Sequence, residues 1–179
     1  VPIDLIDAKD LSQIDILLLI QPRALTPAEF VALDDWVRGG GRVLLVADPM
    51  LSGEPPFALG DPRNPQAIAV TGPIEARWGL DLQSGKSGDG MERFISVGGF
   101  EAPVVLGGTF RKRQPTGGNA ADSVDCGLRS AGLVAVCAIG RGHAVLIADA
   151  TVFERSRGSE QAADIFWSLV GILGDEPPR

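Results

Sequence analysis

The sequence predicts an α/β fold, and three consecutive stretches carry that reading. Asp15-Ile16-Leu17-Leu18-Leu19-Ile20 is an unbroken apolar run closed by Gln21-Pro22, the pattern of a strand buried on both faces. Thr26-Pro27-Ala28-Glu29 supplies an N-cap, a proline at the first helical position and a glutamate three residues after the cap, which together start a helix. Arg42-Val43-Leu44-Leu45-Val46-Ala47 is a second apolar run, stopped by Asp48-Pro49. Two strands joined by a helix lie parallel with a right-handed crossover.

The remaining elements follow in order. Val1 to Leu11 alternates Ile3 and Leu5 before Asp7, Asp10 and Ser12, and reads as a short strand or extended arm. The first helix buries Phe30, Leu33 and Val37, flanked by Trp36, and ends at Gly39-Gly40-Gly41. Six prolines then fall between Pro49 and Pro73 with no surviving period, so residues 51–72 form an irregular Pro/Gly-rich excursion. Gly72 to Leu80 holds a short helix with Ile74 and Trp78 one turn apart. Phe94–Val97 and Val104–Leu106 are candidate strands, and residues 111–119 have the composition of a mobile loop. Ser123 to Ser130, Leu133 to Ile139 and His143 to Asp149 read as three strands of an antiparallel meander, because Ala131-Gly132 and Gly140-Arg141-Gly142 are short, glycine-containing connections. Ala163, Phe166, Trp167, Val170 and Leu173 place a last helix over Glu160–Leu173.

Composition excludes more than it selects. A chain of 179 residues fits a single α/β domain over 1–179. A net charge of -7 argues against binding nucleic acid, which requires a positive face. The chain begins at Val1, as an excised or processed piece would. Glycine clusters do not make a nucleotide site. Gly39-Gly40-Gly41 follows a helix instead of preceding one, and Gly85-Lys86-Ser87 lacks the first glycine of a phosphate loop because Leu80 stands there. No histidine and cysteine set has metal-ligand spacing, so no metal and no cofactor is expected. His143, the only histidine, starts its strand at the end opposite the one where ligands gather.

Two constellations remain. Gln21 and Arg23 after the first strand, Asp48 after the second, and Asp149 and Thr151 after the last converge at one sheet edge if all three strands run parallel, and a polar crevice there would bind a ligand. Asp48 and Asp149 are equally readable as chain stops and helix caps. A two-residue turn at Ala131-Gly132 sets Cys126 directly opposite Cys137, within disulfide reach in an oxidising compartment; two small buried hydrophobes are the alternative.

Asp15 through Thr26, Leu33-Asp34-Asp35-Trp36-Val37, Gly39 through Leu44, Ala47-Asp48-Pro49, Trp78-Gly79-Leu80 and Ile139 through Ala150 resemble the gliding-motility-type auxiliary proteins of ABC transporters. The resemblance covers roughly the first 50 and last 45 residues. That family looks like a degenerate relative of the class I glutamine amidotransferase and ThuA-like folds. It therefore implies a flavodoxin-like three-layer sandwich with a mainly parallel central sheet, to which the meander is added. Active relatives carry a nucleophilic cysteine on the strand-to-helix turn, where this chain has Ala47-Asp48-Pro49-Met50. The resemblance thus implies a non-catalytic binding or interaction domain with transporter permease and ATPase subunits, or another auxiliary protein, as partners. The parent would be membrane-anchored, with this domain on the periplasmic side. A hydrolase or amidotransferase-like enzyme using Asp48 and Asp149, or a carbohydrate-binding module in the same crevice, are the rival readings.

Overall fold

The computed structural model describes residues 6–55, 57–61, 63–85, 92–114, 123–153 and 161–174. In chain order these hold α1 (Ala8–Leu11), β1 (Ile16–Ile20), α2 (Pro27–Arg38), β2 (Arg42–Val46), α3 (Gly72–Arg77), β3 (Leu80–Gln83), β4 (Arg93–Val97), β5 (Phe100–Val104), β6 (Thr109–Lys112), β7 (Val124–Arg129), β8 (Val134–Ile139), β9 (Gly142–Ile147) and α4 (Ala162–Gly174). A five-stranded sheet runs in the order β1-β2-β9-β8-β7, and two hairpin-like pairs, β3-β6 and β4-β5, lie apart from it.

The parallel part of the sheet is confined to β1-β2 and β2-β9. The other four strand pairs among the described residues are antiparallel. This corrects the expected flavodoxin-like sandwich with its mainly parallel sheet. Each further parallel strand would need its own helical crossover. After β2, the described segment from Leu51 to Thr71 contains no helix or strand, and β7, β8 and β9 are joined by tight turns that reverse the chain. The result is a mixed, mainly antiparallel α/β structure in which, among the described residues, only α2 and α4 exceed six residues.

Local chemistry explains the elements that were read and those that were not. The Thr26 hydroxyl accepts the Glu29 amide while the Glu29 carboxylate accepts the Thr26 amide, which fixes the start of α2. Gly40, at φ 119, lets the chain leave that helix. The arm expected before Leu11 is instead α1 over its last four residues, capped by the Asp7 side chain; residues 1–5 lie outside the described residues. Arg111 and Lys112 belong to β6, not to a loop, and residues 115–119 lie outside the described residues, as do Lys86 and Ser87. The candidate strand at 104–106 is centred earlier, on Phe100–Val104.

β1 is also corrected. It is an edge strand, and Leu18 and Ile20 are 43% and 54% exposed, while their parallel-register neighbours Leu44 and Val46 are fully buried. The turn after β7 spans Ser130 to Leu133, with Ser130, Ala131 and Gly132 all at positive φ, so it is longer than two residues but keeps the same register. Cys126 therefore pairs with Cys137, and a disulfide joins them at a Cα separation of 4.0 Å. Cys126 Sγ lies 3.4 Å from the Trp78 carbonyl, so the bridge packs against the end of α3.

Candidate functional site

β1, β2 and β9 run parallel, so their carboxyl ends meet at one edge. Gln21, Asp48, Asp149 and Thr151 come together there, all buried. Gln21 Nε2 donates to the carbonyls of Asp48 (2.9 Å) and Gln66 (2.8 Å), and Gln21 Oε1 accepts the Asp48 amide (2.9 Å). The side chain thus continues the sheet ladder past β1 and holds residue 66 of the excursion over the strand ends.

The two carboxylates are occupied in the same way. Asp48 Oδ1 accepts the Met50 amide (2.8 Å) and Oδ2 the Ala150 amide (2.9 Å). Asp149 Oδ1 accepts the Thr151 amide (2.7 Å) and Oδ2 the Val105 amide (2.9 Å). Gly107 packs so closely on Asp149 that a Cβ there would stand 2.6 Å from Oδ2. Burial pushes the Asp149 carboxyl up to about 6. Its Thr151 neighbour and the two amides oppose that push, and the charge of Asp48 adds to it. The Thr151 hydroxyl is near enough to act on this carboxyl electrostatically, yet makes no hydrogen bond of good geometry.

Arg23 is not part of this cluster. Its guanidinium takes Glu29 in a two-pronged pair (2.6 and 3.0 Å), and Glu29 also accepts the Ile6 amide (3.2 Å). These hydrogen bonds, that from Arg23 foremost, hold the Glu29 carboxyl far below its ordinary value. Where a ligand-binding crevice was expected, Asp48 and Asp149 hold backbone amides, and neither acid lines the cleft at Trp36 and Arg42, the one at Arg93 and Arg111, or the one at Phe30 and Pro73.

Sequence reasoning missed two polar groupings. Asp34 Oδ2 accepts Arg38 Nε and Arg77 Nε (both 2.9 Å), and its Oδ1 accepts Trp78 Nε1 (2.9 Å), which ties α2 to α3. Burial pushes Asp34 up, but these bonds outweigh it and hold the carboxyl below its ordinary value. The i, i+4 spacing of Asp34 and Arg38 was legible; Arg77 and Trp78, 43 and 44 residues away, were not. The second grouping is a cleft of about 250 Å³ between the β3-β6 pair and β4, lined by Gln83, Ser84, Arg93, Leu106, Thr109 and Arg111 among others. It was hidden because β3 and β6 are four residues each, too short for an alternation to stand out.

No family model and no curated protein matches the sequence. The fold nevertheless has counterparts among solved structures. The chain is similar to the N-terminal domain of mmIFT52, with 14% identity, a TM-score of 0.63, and 98% of this chain matched to 84% of that one. It is similar to a cytoplasmic protein from Salmonella typhimurium LT2 at 11% identity and a TM-score of 0.58, covering 94% of this chain and 75% of that one. It also matches a β-galactosidase from Rahnella sp. R3 at 16% identity and a TM-score of 0.54, over all of this chain but only 25% of the enzyme. The chain thus spans about a quarter of the length of the glycosidases it matches. At such identities the likeness establishes fold alone. No group of three or more His, Cys, Asp or Glu among the described residues could hold a metal ion, and no described helix is long and apolar enough to cross a membrane.

Proposed function

We propose that this chain is a non-catalytic binding or interaction domain of an ABC-transporter auxiliary protein, with the parent anchored in the membrane and this domain on its outer side. The observation that carries the non-catalytic part is the occupancy of the strand-end acids. All four carboxylate oxygens of Asp48 and Asp149 accept backbone amides in a fully buried setting. A general acid or base must reach a substrate proton within hydrogen-bond distance, and acids committed to holding loops are poorly placed for that. The strand end that bears a nucleophile in the active relatives of the resembled family carries Asp48-Pro49 here, with the acid turned inward.

The Cys126–Cys137 disulfide supports the extracytoplasmic half of the reading, because such bonds persist in oxidising compartments. The transporter partnership rests on the sequence resemblance. Crosslinking the parent protein in intact membranes tests it. Recovery of an ABC ATPase or permease subunit in the crosslinked species is the expected result, and reproducible crosslinking to unrelated partners alone would overturn it. Quantifying thiols in unfolded protein, without reductant, tests the compartment. The expected outcome is no free thiol, whereas two per chain in protein taken from its native compartment would remove that support.

A further inference from the structure

The cleft between the β3-β6 pair and β4 is built differently from the strand-end acid cluster. In the antiparallel register Gln83 lies opposite Thr109 and Asp81 opposite Arg111, so Asp81, Gln83, Thr109 and Arg111 share one face of the pair. Arg93 arrives from β4, in a separate sheet. Arg93 and Arg111, from different elements, therefore line one concavity.

Both are exposed residues, and among the described residues they share the lack of a side-chain partner with Arg42, Arg113 and Arg129; what sets the two apart is that one concavity holds both. Arg23, Arg38, Arg63 and Arg77 each have a carboxylate within hydrogen-bond distance. Among the described residues, the Arg93 and Arg111 side chains have neither an ion pair nor a hydrogen bond. Asp81, the acid opposite Arg111, instead accepts from Gln83 Nε2 at 3.3 Å. No acid is among the residues that line the cleft, although Asp81 stands opposite Arg111 on the same face; acids outnumber bases 23 to 16 in this chain, so two arginines in one concavity are not a consequence of excess positive charge.

The wall opposite them is fixed in place. Leu106 sits at φ 58, a costly conformation for a side chain of that kind. It is held there because the Val105 amide is bound by Asp149 and the Gly108 amide by the Ala148 carbonyl (2.7 Å). Gly85 lets the neighbouring segment close on this wall, since a Cβ there would stand 2.7 Å from the Gly107 carbonyl oxygen. Guanidinium forks match the geometry of carboxylate and phosphate oxygens. A volume of about 250 Å³ is below that of drug-sized sites, so the occupant is small.

We propose that this cleft binds a small doubly charged oxyanion, a dicarboxylate or a phosphate group, through Arg93 and Arg111. The proposal stands on the cleft alone and does not depend on the transporter reading. Isothermal titration at low salt with inorganic phosphate in one arm and malonate in the other tests it. The expected result is saturable binding of at least one probe, weakened about tenfold or more by Arg93→Ala or Arg111→Ala, abolished in the double variant, and unchanged by Arg63→Ala, whose guanidinium is already paired with Asp61. Phosphate alone would assign the site to tetrahedral anions, and malonate alone to carboxylates. Arg93→Lys and Arg111→Lys keep the charge and the fold but remove the fork, so they also weaken binding. No saturable binding of either probe, or binding that survives in the double alanine variant or is undiminished by both lysine replacements, overturns the proposal.

Discussion

Asp34 and Asp149 are both buried carboxylates, and the chain stabilises them in opposite ways. Asp34 faces two guanidinium groups and an indole N–H, and its carboxyl is held below its ordinary value. Asp149 is bonded to two backbone amides with no cation among its partners, and burial lifts it to about 6. The difference is one of charge balance. Amides satisfy hydrogen bonding but do not neutralise charge, so Asp149 is ionised near neutral pH at a cost, while Asp34 is ionised with a gain. A buried acid cluster is therefore not by itself a sign of chemistry.

Asp34→Asn gives the largest effect. The variant keeps the shape but leaves Arg38 and Arg77 facing a neutral amide. A loss of about 3 kcal/mol is expected in urea unfolding at pH 7, toward the lower end for a broken buried pair because Arg77 is partly exposed. A loss under about 1 kcal/mol would mean that the cluster behaves as a surface pair.

The next effect separates the two acids by pH. The folded-state value of Asp149 lies above its ordinary 3.8, so the folded chain holds this proton more tightly than the unfolded one. Its contribution is present below about pH 4 and is lost as pH rises through 6, a fall of roughly 3 kcal/mol. Glu75, buried and bonded to the Thr71 hydroxyl, is pushed up by burial and acts with the same sign. Asp34 and Glu29 are held down, so their stabilisation is present above about pH 4 and is lost as pH falls. Stability measured against pH should fall between 4 and 7, and Asp149→Asn should flatten most of that fall. An unchanged slope in the variant would show that Asp149 is not its source.

These contrasts also mark how far the sequence could be read. The Thr26 cap, both apolar runs and the Cys126–Cys137 register were legible because they depend on neighbours in the chain or on the register of one hairpin. The exposed face of β1 was not, since Leu18 and Leu44 look alike until the strand order places one at an edge. Gln21, Asp48, Asp149 and Thr151 could be grouped at one sheet end from the parallel strands alone. Whether their polar atoms faced a ligand or backbone depended on where residues 66 and 105 would pass, and no local signal sets that. Arg93 and Arg111 stayed hidden because short strands such as Thr109–Lys112 offer too few residues to show an alternation.

Asp48 sharpens the comparison at smaller scale. Read as a turn residue, it would lose about 1 kcal/mol or less on replacement by Asn. The structure gives each of its oxygens a different backbone amide, and Asn has one acceptor oxygen for the two. Asp48→Asn should therefore cost about 1–2 kcal/mol by denaturant unfolding.

The smallest expected effect concerns Thr151. Its hydroxyl is buried, lacks a hydrogen bond of good geometry, and lowers the affinity of Asp149 for its proton. Thr151→Val replaces the hydroxyl by a methyl of similar size. Below pH 4, where Asp149 is protonated in both states, the variant sheds a poorly satisfied polar group and should gain up to about 1 kcal/mol. Above pH 7 that gain is offset, because the ionised carboxylate loses the favourable hydroxyl dipole. The fall of stability with pH should then be steeper in the variant and its midpoint should move upward. A midpoint that moved down would mean that the hydroxyl accepts from the protonated acid, so that Thr151 favours the neutral form of Asp149.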